Sequence, residues 1–266
     1  MDSVSEVFSR RGLTVASAPF DQTGLRPIDG AKTVLITALP YYFPTVPGQT
    51  LARFAALPDY HRYFCDILKE IAEELSEQYP GSFFKPFTDN SPVDEQKAAL
   101  LGGLAVKGKN NLCITDKGSF IFLGEIVTDG DFTVTPPPVI RKCGDCNECI
   151  KACPNGALTE AGFDYTKCLA YLTQKKGELT EEERAAIRNN GMAWGCDRCS
   201  EVCPHNRGLS VAPIALPPNE ILPRLSIEEI EGLSDRQFRE KYVDRAFAWK
   251  GKATMMRNLH ILEEKP

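Results

Sequence analysis

The chain has 266 residues, of which 42% are hydrophobic and 25% charged, the balance of an ordinary globular protein with one or two cores. This composition excludes a disordered or fibrous chain, and no apolar run approaches the roughly eighteen residues of a membrane helix. The N-terminal stretch lacks the apolar centre of a signal peptide, so we expect a cytoplasmic protein that has no membrane partner. A net charge of -5 excludes a global attraction to nucleic acid or anionic lipid.

Periodic segments before residue 135 predict alternating helices and strands. Residues 33–39 form a β-favouring run closed by Pro40, which is typical of a buried strand. A helix is predicted after Pro58, because apolar residues recur there at three- and four-residue spacing: Tyr60, Phe64, Ile67, Ile71 and Leu75. The other predicted elements are strands at 83–88 and 111–115, a helix at 93–101 ended by Gly102, and a hairpin turn at 116–118 leading into a strand at 119–123.

Three consecutive prolines, Pro136 to Pro138, mark a linker because they continue neither a helix nor a central strand. We therefore predict three parts: an α/β domain at 1–135, a cysteine-rich domain at 139–208, and a linker with a helical tail at 209–266. Within the tail, Ser226 and Ser234 are each followed three residues later by Glu or Gln, which predicts two capped helix starts.

Eight of the ten cysteines fall between Cys143 and Cys203. In a chain without a secretory signal, such crowding indicates metal or redox chemistry rather than a disulfide framework. The run from Cys143 to Pro154 has the bacterial ferredoxin spacing C-x2-C-x2-C-x3-C-P, whose fourth cysteine ligates a neighbouring cluster. A second run, from Cys196 to Pro204, repeats the pattern but has Ala193 where its first cysteine would stand.

These spacings predict two [4Fe-4S] clusters, with Cys168 supplying the ligand that the second run lacks. The predicted ligands of the first cluster are Cys143, Cys146, Cys149 and Cys203, and those of the second are Cys153, Cys168, Cys196 and Cys199. A zinc site is the alternative, but zinc sites usually pair two C-x2-C knuckles and have no use for a third cysteine followed by C-P. Cys65 and Cys113 are left over and are predicted to be small buried hydrophobes.

Two clusters alone describe an electron carrier that serves a partner oxidoreductase without catalysis of its own. A dedicated ferredoxin is much shorter, however, and here an α/β region of some 135 residues precedes the clusters. Clusters attached to a domain of that size usually deliver electrons to something bound there. An enzyme and an electron carrier therefore both remain as hypotheses.

The cysteine region closely resembles the epoxyqueuosine reductase family over residues 168–173, 195–199 and 202–207. Four upstream motifs stand in the family's order: Asp59-Tyr-His61, Pro86-Phe-Thr-Asp89, Gly108-Lys-Asn110 and Phe122-Leu-Gly-Glu125. The resemblance implies an α+β protein with an N-terminal α/β cobalamin-binding-type domain, related to those of reductive dehalogenases, a ferredoxin-like double-cluster domain and a short helical tail. The implied reaction is cobalamin-dependent reduction of epoxyqueuosine to queuosine in tRNA, with a low-potential electron donor of ferredoxin or flavodoxin type.

The same resemblance implies that Asp89 is the proton donor and that His61 contacts the corrin or the substrate. A glycine that would complete a cobalt-ligating D-x-H-x-x-G motif is missing after His61, which agrees with cobalamin bound without a protein ligand. Lys107 and Lys109 flank a glycine and suit a propionamide or phosphate of the cofactor tail. The alternatives are that Asp89 starts a turn capping the helix after Pro92, that His61 is an ordinary first-turn residue, and that the lysines form a solvated turn.

Some features depart from the family. Gln96 stands where the family has an arginine and Val106 where it usually has a tryptophan, and members usually continue beyond Pro266 into a helical-repeat domain that helps to hold tRNA. We therefore expect weak binding of full-length tRNA and a smaller or differently presented queuosine-like substrate. Residues 236–257 hold seven Lys or Arg with interleaved aromatics, which indicates either a nucleic-acid surface or, as we favour, a packed amphipathic tail.

Overall fold

The computed structural model describes residues 3–138, 143–212 and 221–264. The chain divides into two compact units, one of Met1–Pro40 with Tyr60–Gly144 and the other of Tyr41–Asp59 with Asp145–Pro266. Residues 41–59 therefore fold with the cysteine-rich region, although in sequence they lie within the first predicted domain. No helix among the described residues is long and apolar enough to cross a membrane.

Helices and strands alternate in the first unit, as the sequence predicts. Its strands are β1 (Val15–Pro19), β2 (Thr33–Pro40), β3 (Phe84–Phe87), β4 (Val106–Lys107), β5 (Cys113–Ile114) and β6 (Ile121–Thr128). Its helices are α1 (Val4–Ser9), α2 (Phe20–Thr23), α4 (Tyr60–Gln78) and α5 (Glu95–Leu101). The remaining elements belong to the second unit: α3 (Arg53–Ala56), α6 (Glu148–Ala152), β7 (Leu158–Thr159), β8 (Gly162–Phe163), α7 (Leu169–Gln174), α8 (Glu181–Asn190), α9 (Arg198–Glu201), α10 (Asp235–Lys241) and α11 (Lys252–Glu263).

An antiparallel sheet of order β1-β2-β6-β3 forms the centre of the first unit. The strands predicted at 33–39 and 83–88 are confirmed as β2 and β3. The strand predicted at 111–115 shrinks to the two-residue β5, which pairs with β4 in a separate sheet. The turn predicted at 116–118 is present, since the Thr115 N–H donates to the Gly118 carbonyl at 2.9 Å. The strand that follows it, β6, pairs with β2 and β3.

Helix α4 packs on one face of this sheet through the apolar stripe that its sequence predicts. Of the predicted stripe, Phe64, Ile71 and Leu75 are fully buried and Ile67 is half-buried, while Leu68, which was not in the predicted stripe, is fully buried as well. Gly124 on β6 lets the helix approach closely, because a Cβ there would lie 2.7 Å from the Phe64 ring and 2.8 Å from Leu68. Cys65, on the same helix, is half-buried, so the prediction of a buried residue is wrong for Cys65 and confirmed for Cys113.

Helix α5 is packed with the residues of β6 that point to the other face, including Leu123 and Val127. The helix predicted at 93–101 is confirmed from Glu95 onward, and the Lys97 N–H donates to the Asp94 carboxylate at 3.0 Å. Asp94 is therefore the N-cap. The alternative in which Asp89 caps this helix is wrong, because only Asp94 lies directly before the first helical turn.

The core of the second unit surrounds Trp194 and includes three aromatic residues of the tail, Phe238, Tyr242 and Phe247. These three confirm the predicted packed tail, whereas Trp249 is 67% exposed, with the Lys250 ammonium 3.7 Å from its ring centroid. The capped helix start at Ser234 is confirmed by a complete capping box. The helix predicted at Ser226 is wrong: the Ser226 N–H donates to Glu229 at 2.7 Å, but residues 227–233 form only turns before the next helix start.

Candidate functional site

Asp89 and His61, which the sequence predicts separately, are brought together in the first unit. The Asp89 Oδ2 atom lies 2.9 Å from His61 Nε2, and the Asn90 N–H donates to Asp89 Oδ1 at 2.8 Å. Both Asp89 (φ 51°) and Asn90 (φ 38°) have left-handed backbone conformations, which cost energy in residues other than glycine. The Thr88 hydroxyl donates to the His61 carbonyl at 3.2 Å, which ties this turn to the start of α4. The turn therefore holds a partly exposed carboxyl against an imidazole.

A stack of flat rings adjoins this pair. The Tyr60 ring lies 3.9 Å from the Phe122 ring at an interplanar angle of 5°, and 4.2 Å from the His61 imidazole at 29°. The stack ends at the imidazole that contacts Asp89. The Phe122, Tyr60 and His61 rings are thus packed together directly beside the Asp89 carboxyl.

Two further carboxyls near Asp89 were missed by the sequence analysis as site residues. Glu125 is fully buried on β6, opposite Phe87 at the end of β3, and among the residues that the structure describes neither of its oxygens meets a partner at hydrogen-bonding geometry. Burial raises the pKa of Glu125 to about 8; the Ser91 hydroxyl lowers it, and the charges of Glu95 and Asp89 raise it further. The signal was present in the sequence, since Glu125 is an acid on an otherwise apolar strand.

Glu95, at the start of α5, behaves similarly. Burial raises the pKa of Glu95 to about 7, with added contributions from the charges of Asp89 and Asp94 and an opposing one from His61. Near neutral pH, Glu125 is thus in large part uncharged and Glu95 about half uncharged. The three neighbouring carboxyls Asp89, Glu95 and Glu125 consequently carry less negative charge than their number indicates.

Lys107 and Lys109, predicted to meet a cofactor tail, lie at the exposed β4–β5 turn. The Lys109 backbone N–H donates to the Cys143 sulfur at 3.3 Å. Hydrogen bonds to ligand sulfurs are one of the means by which proteins adjust iron–sulfur clusters. Lys109 is therefore placed to contact a predicted cluster ligand through its backbone, and its side-chain role stays a prediction.

The predicted cluster cysteines are buried or half-buried in the structure, with Cys149 and Cys203 buried. Burial raises the pKa of Cys196 to about 11 and that of Cys199 to about 12, and the nearby Cys168 contributes to both shifts. Cys168, Cys196 and Cys199, three predicted ligands of the second cluster, thus share one electrostatic environment. A thiolate buried there requires a cationic partner, which is what an iron cluster provides.

Ala193, which stands in the place of the missing cysteine, is fully buried, and its carbonyl accepts a hydrogen bond from the Asn258 amide at 2.8 Å. Within the described residues, no group of three or more His, Cys, Asp or Glu side chains is placed to hold a single metal ion. The assignment of cysteines to two clusters therefore rests on their spacing and on the family to which this segment belongs.

Residues 142–206 match the family model described as "4Fe-4S double cluster binding domain". The chain is therefore an iron–sulfur protein with a double-cluster module. Residues 26–90 match a second model, "Epoxyqueuosine reductase QueG, DUF1730". An epoxyqueuosine reductase of Gloeobacter violaceus is 34% identical over 243 residues, covering 86% of this chain and 75% of the relative. The chain belongs to the epoxyqueuosine reductase family, which confirms the resemblance noted in its sequence.

Other relatives are longer than this chain. An epoxyqueuosine reductase of Bacillus anthracis is 35% identical over 246 residues, which is 87% of this chain but 63% of the relative. A crystal structure of epoxyqueuosine reductase with a tRNA-Tyr epoxyqueuosine-modified stem loop is 28% identical, with a TM-score of 0.77. That match covers 88% of this chain and 65% of the solved chain. The chain thus spans slightly less than two thirds of each of these two proteins, and the shared fold confirms the α+β class.

Proposed function

We propose that this chain is an iron–sulfur reductase that converts epoxyqueuosine to queuosine in tRNA. Family membership supports this proposal, as does the solved relative that holds an epoxyqueuosine-modified stem loop. Removing the epoxide oxygen as water consumes two electrons and two protons, so the site needs both an electron route and an acid. The predicted double-cluster module supplies the first, and residues beside α4 supply the second.

The observation that carries the proposal is the Asp89–His61 pair. Asp89 is held on a left-handed turn with its Oδ2 atom 2.9 Å from His61 Nε2. A protonated Asp89 donates one of the two protons to the oxygen that leaves the substrate carbon, solvent supplies the other, and the imidazole orients the carboxyl and stabilises the anion that remains. Because the pKa values of Glu95 and Glu125 are raised, the two carboxyls together add less negative charge to oppose that anion at neutral pH than two ordinary glutamates would.

Cobalamin is the cofactor that these residues fit, and we propose that it binds in the region predicted as the first domain, 1–135. The flat ring stack at Tyr60 suits a corrin plane, and His61 Nε2 is engaged with Asp89 instead of standing free to ligate cobalt. When bound, cobalamin supplies low-potential electrons for cleavage of the carbon–oxygen bond. Lys107 remains our proposed contact to an amide or phosphate of the cofactor tail.

The two predicted clusters receive electrons one at a time, and we propose a ferredoxin or flavodoxin as the external donor. The eight cysteines assigned above hold these clusters in the region predicted as the second domain, 139–208. The tail predicted at 209–266 packs with that module through its aromatic residues.

We propose that the tRNA contacts of this chain centre on the stem loop that carries the modified base. Four of the seven basic residues of the 236–257 tail donate to backbone carbonyls of the second unit, among them Lys241, which donates to Glu229 at 3.3 Å. Arg245 donates to Ala56 at 3.1 Å, Lys252 to Glu231 at 2.6 Å, and Arg257 to Lys175 at 2.7 Å. These residues stabilise the fold, so the tail offers fewer free cations to phosphates than its composition indicates.

Replacement of Asp89 tests the proposed acid. Asp89→Asn keeps the shape and the polar contact but removes the acidic proton, so we expect turnover of the epoxyqueuosine stem loop to fall by about a hundredfold or more. Cluster content and cobalamin binding should stay at wild-type levels. Asp116→Asn is the matched control, because Asp116 is an exposed acid on a surface turn and should leave turnover unchanged. Full activity of Asp89→Asn would contradict the assignment.

A further inference from the structure

Arg53 is a buried cation in the second unit whose donors are almost all used. Its side chain is 4% exposed, and its Nη1 atom contacts Asp197 Oδ2 and Glu201 Oε1, each at 3.1 Å. The Arg53 Nε donates to the Phe43 carbonyl at 2.8 Å and its Nη2 to the Thr45 hydroxyl at 2.5 Å. A guanidinium with contacts at all three of its nitrogens is held in a fixed orientation.

The two acids that Arg53 contacts lie among the predicted cluster ligands. Asp197 stands between Cys196 and Cys199, and Glu201 stands between Cys199 and Cys203. The backbone N–H of Arg53 also donates to Asp197 Oδ2 at 2.8 Å, so this carboxylate receives two hydrogen bonds from one residue. Arg53 therefore holds one residue between Cys196 and Cys199 and one residue between Cys199 and Cys203.

Residues 50–52, directly before Arg53, pair through backbone hydrogen bonds with residues 193–194, which lead into the Cys196–Cys203 run. The Ala193 N–H donates to the Thr50 carbonyl at 2.8 Å, and the Ala52 N–H donates to the Trp194 carbonyl at 2.8 Å. Gly195 has φ of 72°, and a Cβ there would lie 2.6 Å from the Ala52 Cβ. This close backbone pairing sets the position of Cys196 relative to Arg53.

We propose that Arg53 is a positioning residue for the iron–sulfur module. It holds the Cys196–Cys203 segment in its ligating conformation, and its buried positive charge raises the reduction potential of the cluster that Cys196 and Cys199 hold. This proposal rests on the cluster assignment of the proposed function. The physical reason is that reduction adds negative charge to a cluster, and a nearby cation in a poorly solvated environment favours that change. Removal of Arg53 would also leave two acids beside the cluster without their cation.

The test is a redox titration of anaerobically reconstituted full-length protein, followed by electron paramagnetic resonance, with iron and sulfide counted in each sample. Arg53→Gln should shift the midpoint potential of the second cluster to more negative values, with a smaller shift of the first. Arg53→Lys should restore the potential in large part, because the charge remains, but should lose iron faster to a chelator because the forked hydrogen bonds are gone. Arg236→Gln is the control, since Arg236 is an exposed arginine on α10 that pairs with Glu240.

A second variant covers the case in which Arg53→Gln does not assemble its clusters. Asp197→Asn keeps Arg53 but removes one negative charge, so the potential of the second cluster should move in the opposite direction, to less negative values. Unchanged potentials in Arg53→Gln, or no upward shift in Asp197→Asn, would overturn the proposal, and so would a wild-type protein that takes up no clusters. Intact clusters with these shifts but no turnover of epoxyqueuosine would instead contradict only the proposed function.

Discussion

Glu125→Gln should remove a pH dependence of stability that the buried carboxyl imposes on the first unit. The pKa of Glu125 is raised by burial from 4.5 to about 8. Between these two values the folded state binds a proton that the unfolded state has released, so stability falls as pH rises from 4.5 and levels off above 8. A protonated glutamic acid and glutamine have nearly the same shape, so the substitution keeps the packing while removing the titration.

The size of the effect follows from the pKa shift. A rise from 4.5 to about 8 corresponds to about 5 kcal/mol between the limits of low and high pH. Over the accessible range from about pH 5 to pH 8, we expect the wild type to lose about 3 to 4 kcal/mol relative to Glu125→Gln. The two proteins should therefore have similar stability at the acidic end, and the variant should be the more stable one at the alkaline end.

Urea unfolding of the two reconstituted proteins side by side, at several pH values, measures this difference. Glu77→Gln on the exposed face of α4 is the matched control, because it removes an acid that is not buried. Infrared spectra at neutral pH give an independent measurement, since the variant should lose the carbonyl band of protonated Glu125 while that of Glu95 remains. Equal pH slopes for wild type and Glu125→Gln would refute the reasoning.

Two other predictions concern the clusters and the substrate. Cys168→Ala should remove or convert only the second cluster, which lowers the iron content from about eight atoms per chain. Cys65→Ala on α4 is the control and should leave the iron content unchanged. Two intact clusters in Cys168→Ala would show that the ligand set is wrong. The affinity for an epoxyqueuosine stem loop, measured by fluorescence anisotropy, should fall with rising salt. Full-length tRNA should bind little more tightly than the stem loop, because Arg245, Lys252 and Arg257 are used within the fold; a much tighter and more salt-sensitive complex would contradict this.

The elements with strong local signals were predictable from the sequence. The apolar stripe of α4 repeats with the helical period, and the β-branched run of β2 is short and closed by Pro40, so each sequence favours one regular element. The cysteine spacing likewise predicted a double-cluster module, since each interval is fixed by the shape of a cubane. Each of these patterns is formed by residues that are close together along the chain.

Features that depend on distant partners were not predictable. The sequence placed a turn before residue 119, but the pairing of β6 with β2 and β3 depends on which strand edges remain available. The sequence offered a turn starting at Asp89 as the cap of the following helix, and only the structure shows that Asp94 is the N-cap and that Asp89 contacts His61. The role of Arg53 depends on contacts with residues that lie 144 and 148 positions away.

Conversion of an epoxyqueuosine-modified stem loop by the reconstituted wild-type chain tests the central claim most directly. The protein is loaded anaerobically with iron, sulfide and cobalamin, given a low-potential reductant, and the nucleosides are analysed by mass spectrometry. The account predicts queuosine, lighter than the substrate by one oxygen atom, in amounts exceeding the enzyme and only when cobalamin is present. A protein that carries both clusters and binds cobalamin but leaves epoxyqueuosine unchanged would contradict the account and favour an electron carrier that serves another oxidoreductase.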